Sequence, residues 1–290
     1  MDQKHTANKN TATASHEPML PYWATIADKK AETPGVATYS LEFENPEIRE
    51  SYRFLPGQFN MLSLPGIGEV AISLSSDAET ASELLHTIRV AGNVTTAIDA
   101  LEVGDQMGVR GPYGSAWPVD IARGSDVIFV AGGIGLAPLR PAIYRIIRHR
   151  SEYGEVSILS GARTPADLLF HDEFDEWREH DIDVIATVDR ADESWQGRVG
   201  VVPMLFYSLR PDPENTVVFT CGPEIMIRFV AYEAMARRIP TEQVYVSLER
   251  NMKCALGFCG HCQYGPFFLC KEGPVLNFAQ IEPFYNVEKF

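Results

Sequence analysis

Residues 127–140 read VIFVAGGIGLAPLR: an unbroken apolar run, then Gly132, Gly133 and Gly135, then helix-forming text with Pro138 in its first turn. An apolar run without alternation is a strand covered on both faces, and such strands belong to parallel sheets whose crossover helices cover both sides. The glycines let the backbone come close to a pyrophosphate, whose charge the free N–H groups and the helix dipole attract. Gly133-x-Gly135-x-x-Pro138 departs from the full dinucleotide fingerprint, so a tight strand-to-helix turn without ligand is the competing reading.

The same rhythm continues downstream. A helix is expected from about Pro138 to Arg150, followed by the strands EVSILSG (155–161) and DVIATVD (183–189). TVVFTCG (216–222), a helix reaching Arg238 and VYVSLE (244–249) complete the alternation. Strands alternating with helices build a parallel, doubly covered sheet, and ligands of such sheets bind at the carboxyl ends of the strands. Cys221, Gly222 and Pro223 fall at that edge, and so does Arg163 in GARTPADLL (161–169), able to pair with a ribose-linked phosphate. A lone buried cysteine is more often packing, and an exposed arginine is as often merely solvated.

Upstream, from about Tyr22 to Pro118, short alternating runs such as ATYSLEF (37–43) and QFNMLSL (58–64) are punctuated by Pro56-Gly57 and Gly66-Ile67-Gly68. This pattern predicts an antiparallel barrel or sandwich. In HTIRVAGNVTTAIDAL (86–101) a strand leads through Gly92 to a helix over 94–104 with Thr95 and Thr96 as caps and Gly104 as its stop. That helix start is an anion site suited to a flavin diphosphate, although threonine caps most often simply cap. The domain boundary falls near 119–125. The expected division is a disordered polar tail at 1–17, a β-barrel at 18–122, a nucleotide-binding α/β domain at 123–250 and a cluster domain at 251–290.

The 290 residues, 45% hydrophobic and 22% charged, suffice for two domains with real cores. A formal net charge of −14 argues against nucleic acid or anionic lipid as partners, since both would be repelled over most of the surface. The longest uncharged apolar run, between Asp126 and Arg140, is too short for the roughly 20 residues of a membrane helix. No signal-peptide core opens the chain, so a cytoplasmic location is expected.

Four of the five cysteines, Cys254, Cys259, Cys262 and Cys270, crowd into NMKCALGFCGHCQYGPFFLC (251–270). In a reducing compartment clustered thiols are metal ligands more often than disulfides. Their C-x4-C-x2-C spacing with a later fourth cysteine matches the plant-type [2Fe–2S] pattern. Structural zinc is the rival, but only Cys259 and Cys262 form a CxxC pair. His261 lies inside that pair, and with four thiols available it is read as a non-ligand.

PGQF (56–59), GVRGPYG (108–114), AGGIGLAPLRP (131–141), CGPEIM (221–226) and ERNMKCALGFCGHCQYGP (249–266) resemble the ferredoxin-reductase superfamily. Within it they are most similar to the gamma subunit of cytoplasmic nickel–iron hydrogenases of the NAD(P)-linked, sulfhydrogenase type, over roughly Met19 to the C-terminus. The resemblance implies an FAD-binding barrel, an NAD(P) domain and a C-terminal [2Fe–2S] domain. By it, Ile72 and Ser73 lie against the isoalloxazine, and Gly92, Val94, Thr95 and Thr96 run along the diphosphate. Cys221 faces the nicotinamide, and the four clustered cysteines ligate the iron. Cys221 and Ser73 are the expected catalytic positions. Implied partners are an iron–sulfur beta, a small delta and a nickel-bearing alpha subunit.

The superfamily's Arg-x-aromatic-Ser flavin motif is here Val70-Ala71-Ile72-Ser73, so the usual arginine at the diphosphate is missing and Arg89 is the expected substitute. FMN is the lesser alternative to FAD. Arg163 tilts the nucleotide slightly toward NADP. Rival functions are the electron-transfer subunit of a dihydroorotate dehydrogenase or an anaerobic sulfite reductase, and, from another class, a zinc-stabilised interaction module.

Overall fold

The computed structural model describes residues 17–80 and 83–285. Apart from Glu17, the tail expected at 1–17 lies outside the described residues.

The N-terminal half is built from β1 (Tyr22–Thr33), β2 (Val36–Phe43), β3 (Phe59–Leu64), β4 (Gly68–Ser73), β5 (Leu84–Arg89) and β6 (Gln106–Tyr113), with the short helices α1 (Pro46–Ser51) and α2 (Asn93–Asp99). All neighbours pair antiparallel in the order β4-β3-β6-β1-β2-β5. The two outer strands meet through an antiparallel bridge between Leu74 and His86, which closes the sheet toward a barrel. Alternating residues of β1 and β2 turn inward, and Ile26, Tyr39, Leu41, Leu62, Leu74 and Ile98 pack the interior. α2 is shorter than the expected 94–104: Gly92 caps it, its chain turns at Ala100, and Gly104 takes φ 97° in a separate turn.

The second half carries the parallel sheet: β7 (Asp126–Gly132), β8 (Val156–Ala162), β9 (Asp183–Val188), β10 (Arg198–Val199), β11 (Thr216–Cys221) and β12 (Val244–Ser247). Helices α3 (Leu136–Arg148), α4 (Phe174–Glu179) and α5 (Glu224–Ala236) connect them. The order is β10-β9-β8-β7-β11-β12, all parallel. Every residue of β11 and the five central residues of β7 are buried, as strands covered on both faces require. Phe129, Phe219 and Trp177 are fully buried in the layer between this sheet and its helices, each contributing about 1.5–3 kcal/mol of apolar burial. α3 begins two residues before Pro138 because Gly135 caps it.

The C-terminal region contributes a loop over 251–262, the hairpin β13 (Gln263–Tyr264) with β14 (Phe267–Phe268), then β15 (Val275–Asn277) and α6 (Phe278–Tyr285). β15 pairs antiparallel with β12 and so extends the edge of the parallel sheet. The Ser115 hydroxyl donates to the Val275 carbonyl at 2.7 Å and accepts its N–H at 3.0 Å, tying the barrel exit to this region. The barrel is also pinned to α3. Arg140 makes a two-pronged ion pair with Glu173 (2.7 and 3.0 Å) and donates to the Ser75 carbonyl at 2.9 Å, while Arg145 and Arg148 pair with Glu79 and Asp77. The exposed pairs contribute little, whereas the largely buried Arg140 contact fixes the orientation of the two halves. Among the described residues no helix is long and apolar enough to cross a membrane.

Candidate functional site

A cavity of about 670 Å³ opens at the carboxyl edge of the parallel sheet, where it faces the barrel. Gly132, Gly133 and Gly135 line it from the β7–α3 turn, Cys221, Gly222 and Pro223 from the β11–α5 turn, Arg163 from the end of β8 and Arg89 from the end of β5. The sequence-expected nucleotide residues therefore converge on one space, with the exception of Pro138. Its residue is buried in the first turn of α3, where its carbonyl accepts the Trp117 Nε1–H at 2.8 Å.

The two glycine turns interlock. A Cβ on Gly135 would stand 2.5 Å from the Cys221 carbonyl carbon and 2.8 Å from the Gly222 nitrogen, so only glycine permits that approach. Gly133 differs: it takes φ 54°, and a Cβ there would meet nothing within 4 Å. Its backbone borders open space at the helix start, as a phosphate-approaching position requires. Cys221 ends β11 almost fully buried. Burial pushes its thiol well above the usual range, the nearby Glu249 carboxylate adds to this, and a hydrogen bond with Ser247 opposes it. Cys221 is thus a neutral thiol suited to apolar contact with a planar ring and unsuited to nucleophilic attack.

Arg89 and Arg163 are exposed and have no side-chain partner among the described residues. Glu249, Arg250, Glu224 and Asp189 also line the cavity, and sequence reasoning gave them no role. Asp189 follows β9 directly, so its strand-end position was the available signal.

On the barrel, β4 is half-exposed from Glu69 through Ser73, unlike the buried β3 beside it, and so offers a face to a ligand. Ile72 and Ser73 lie on this strand and Val94 stands over its start, its Cγ2 3.2 Å from where a Gly68 Cβ would be. These residues border the barrel surface and do not line the large cavity. Thr95 differs from its expected use as a cap on the helix start. It is the third helical residue, buried, and its hydroxyl accepts the N–H groups of Ala91 (2.9 Å) and Gly92 (3.0 Å). That hydroxyl closes the turn on itself, while Gly92 and Thr96 remain exposed. The arginine buried nearest β4, Arg110, is no stand-in for the absent motif arginine, because its donors are taken by Glu69, Pro18, Tyr113 and Cys254.

The cysteine loop surrounds its thiols with backbone donors. Leu256 and Phe258 N–H groups reach Cys254 Sγ at 3.4 Å, and the Gly257 N–H reaches Cys270 Sγ at 3.3 Å. Gly257 and Gly260 take φ 77° and 75°, and Ala255 φ 61°, conformations that fold the loop back on itself. Burial pushes the Cys254 thiol up, but the N–H groups of Leu256, Cys259 and Phe258 outweigh it and hold the thiol below its usual range. Backbone donors at His261 and Cys254 lower Cys259 as well. Burial, together with a hydrogen bond to Cys262, pushes Cys270 up to about 12. Cys254, Cys262 and Cys270 are buried and Cys259 is exposed. Such a cage of N–H donors stabilises thiolate ligands.

Three families match successive parts of the chain. Residues 24–117 match the oxidoreductase FAD-binding domain, 129–232 the oxidoreductase NAD-binding domain, and 249–282 the iron–sulfur cluster binding domain of dihydroorotate dehydrogenase B. Among curated proteins, the sulfhydrogenase 1 subunit gamma of Pyrococcus furiosus is 37% identical over 84% of this chain and 86% of its own length. The probable dihydroorotate dehydrogenase B (NAD(+)) electron transfer subunit of Methanocaldococcus jannaschii is 34% identical over 84% of each chain. A solved structure of an NADH-dependent reduced ferredoxin-NADP oxidoreductase, 23% identical, superposes with a TM-score of 0.71 over 90% of this chain and 92% of that one, which is a likeness of fold. With a barrel that matches an FAD-binding domain, a nucleotide cavity at the sheet edge and an iron–sulfur loop in one chain, the protein belongs to the family of the sulfhydrogenase gamma subunits.

Proposed function

We propose that the protein is the subunit through which electrons pass between NAD(P)(H) and partner hydrogenase subunits, by way of FAD on the barrel and a [2Fe–2S] cluster in the cysteine loop. The observation that carries this reading is the convergence of two arginines unpaired among the described residues, two interlocked glycine turns and a neutral buried thiol on one cavity, in a chain that also carries a flavin-type barrel and a donor-lined cysteine loop.

The flavin supplies the needed adaptation, since it exchanges two electrons with a nicotinamide as hydride and one at a time with an iron–sulfur cluster. The chain's own residues do the positioning. Gly133 admits the NAD(P) pyrophosphate, Arg163 pairs with a ribose-linked phosphate, and Arg89 supplies the counter-charge for the flavin diphosphate. Cys221 packs as an uncharged surface against the nicotinamide, and the two interlocked turns hold that surface rigid. Ile72 and Ser73 border the isoalloxazine, with Gly92, Val94 and Thr96 along the diphosphate and Thr95 bracing the turn from within.

Cys254, Cys259, Cys262 and Cys270 hold the cluster in this reading. Support for a two-iron cluster comes from the C-x4-C-x2-C spacing with its later fourth cysteine. Cys259 is exposed beside Phe258, itself 84% exposed, so this rim is the face for the partner. The partners are an iron–sulfur beta, a small delta and a nickel-bearing alpha subunit.

NADP is slightly favoured, because the Arg163 side chain at the end of β8 has no partner among the described residues and is free for a 2′-phosphate. Asp189, at the end of the next strand, carries the opposite reading, since it would accept from a 2′-hydroxyl and repel a phosphate. The ratio of kcat/KM for NADPH and NADH decides: a ratio above one that inverts in Arg163→Ala supports the assignment. A ratio indifferent to Arg163 removes it.

A further inference from the structure

Arg110 is the most heavily engaged buried side chain outside the nucleotide cavity. It lies on β6, 2% exposed, and forms a two-pronged ion pair with Glu69 of β4 at 2.6 and 2.7 Å. From the same guanidinium, Nη1 reaches the Cys254 carbonyl at 3.2 Å, the Tyr113 hydroxyl at 3.2 Å and the Pro18 carbonyl at 3.3 Å. One planar group therefore bridges the half-exposed barrel strand that carries Ile72 and Ser73 to the carbonyl of the first cysteine of the loop. These two segments are 185 residues apart, counting from Glu69 to Cys254.

The contact is built for rigidity. A buried arginine is tolerated only when its charge is neutralised and its donors are occupied, and both conditions are met here. The carboxylate sets the plane of the guanidinium, and the plane aims Nη1 at the loop. Lysine could neutralise Glu69 but lacks the fork that reaches both strands. Removing Glu69 leaves the buried guanidinium without its counter-charge, and breaking the other end costs the hydrogen bond to the Cys254 carbonyl.

We infer that Arg110 is the positioning residue that fixes the cluster loop against the flavin strand, setting the geometry of electron passage between them and holding a positive charge one carbonyl away from the ligand Cys254. It touches neither nucleotide nor metal and acts through Glu69 and the Cys254 carbonyl. The inference rests on the reading of the four cysteines as cluster ligands. A neutral residue in its place leaves the Glu69 carboxylate unpaired, which disfavours the more negative, reduced state of the loop's occupant.

The test compares the full-length holoprotein with Arg110→Gln and Arg110→Lys. Three readouts are followed: hydrogen exchange of residues 251–258, the potential of the cluster by spectroscopic titration, and single-turnover reduction by NAD(P)H with flavin and cluster bands monitored separately. In Arg110→Gln the loop exchanges faster, the potential becomes more negative, and the flavin-to-cluster phase slows at least about tenfold, a barrier increase of about 1.4 kcal/mol. The nucleotide-to-flavin phase stays within about twofold of the wild type. Arg110→Lys keeps the potential near the wild-type value while the loop still exchanges faster, which separates charge from geometry. If Arg110→Gln does not fold, Arg110→Lys decides alone through loop exchange. Unchanged exchange in the folded variants, or a slowing of both kinetic phases alike, overturns the inference. Failure of the cluster reading itself is distinguishable, because the wild type would then lack iron–sulfur absorption.

Discussion

Replacing Gly135 by alanine adds one methyl group where the two nucleotide turns touch. Its backbone, φ −61° and ψ −12°, is ordinary for alanine, so no strain arises there, and as the cap residue of α3 it gains nothing from alanine's helix propensity. Packing opposes it. The new Cβ would stand 2.5 Å from the Cys221 carbonyl carbon, whereas an unstrained carbon–carbon contact needs at least ~3.5 Å, so the turns must part by about 1 Å. The neighbours are backbone atoms and no rotamer relieves the overlap. Overpacking of this kind costs about 1–3 kcal/mol, so the net change is destabilising. A displacement of about 1 Å between reacting groups is worth up to about 10²-fold in rate. The assay is anaerobic stopped-flow reduction of the bound flavin by NAD(P)H, with the Tm measured in parallel and Gly133→Ala as the contrast. Gly133 has open space and meets only the left-handed backbone penalty of about 1–2 kcal/mol, so its variant keeps the turns together. Flavin reduction and Tm both unchanged in Gly135→Ala would refute the interlocked-turn geometry, and with it the argument that places Cys221 at the nicotinamide.

Cys221→Ala is expected to slow hydride transfer to the flavin without altering the iron–sulfur spectrum, and unchanged single-turnover flavin reduction counts against Cys221 at that position. Cys259→Ser is expected to abolish electron output to the partner while NAD(P)H still reduces the flavin; loss of flavin reduction in a folded variant would contradict the serial order. His86, fully buried with Nε2 3.1 Å from the Asn60 amide nitrogen, is pushed down to about 3 by burial. Its folded-state value lies below the unfolded one of about 6.5, so the unfolded chain takes up the proton first. The stability tied to neutral His86 is therefore full above pH ~6.5 and drains as pH falls toward 3, by about 1.4 kcal/mol per pH unit. Urea unfolding of the barrel at pH 7 and pH 5 measures this, and His86→Gln should show a shallower acid slope. Equal slopes in both proteins would remove His86 as the cause.

The parallel sheet was legible because its strands are continuous apolar runs with glycine at their carboxyl ends, and the cysteine spacing needed no structure at all. β15 was not legible: three residues carry no periodicity, and only the free edge of β12 makes them a strand. The closure of the barrel between Leu74 and His86 depends likewise on tertiary pairing. Thr95 illustrates a different limit. Its residue type and place beside a helix start suggested a hydroxyl free for an anion, but two local N–H groups compete for the oxygen and win by proximity. Arg110 sat in plain view within GVRGPYG, and nothing local in that text indicates a partner on β4 or in a loop far down the chain. Asp189 and Glu249 enter the cavity because of how their strands stack, a property of sheet order that local pattern does not carry.

The central claim is that electrons cross this chain in the order nicotinamide, flavin, cluster. Anaerobic single-turnover reduction by NAD(P)H, with the flavin band and the low-temperature spin signal of the iron–sulfur centre followed on the same sample, tests it directly. Loss of flavin colour should come first and the [2Fe–2S] signal should follow with its own slower phase. A protein without flavin or iron–sulfur absorption, or a cluster reduced while the flavin stays oxidised, would contradict that order.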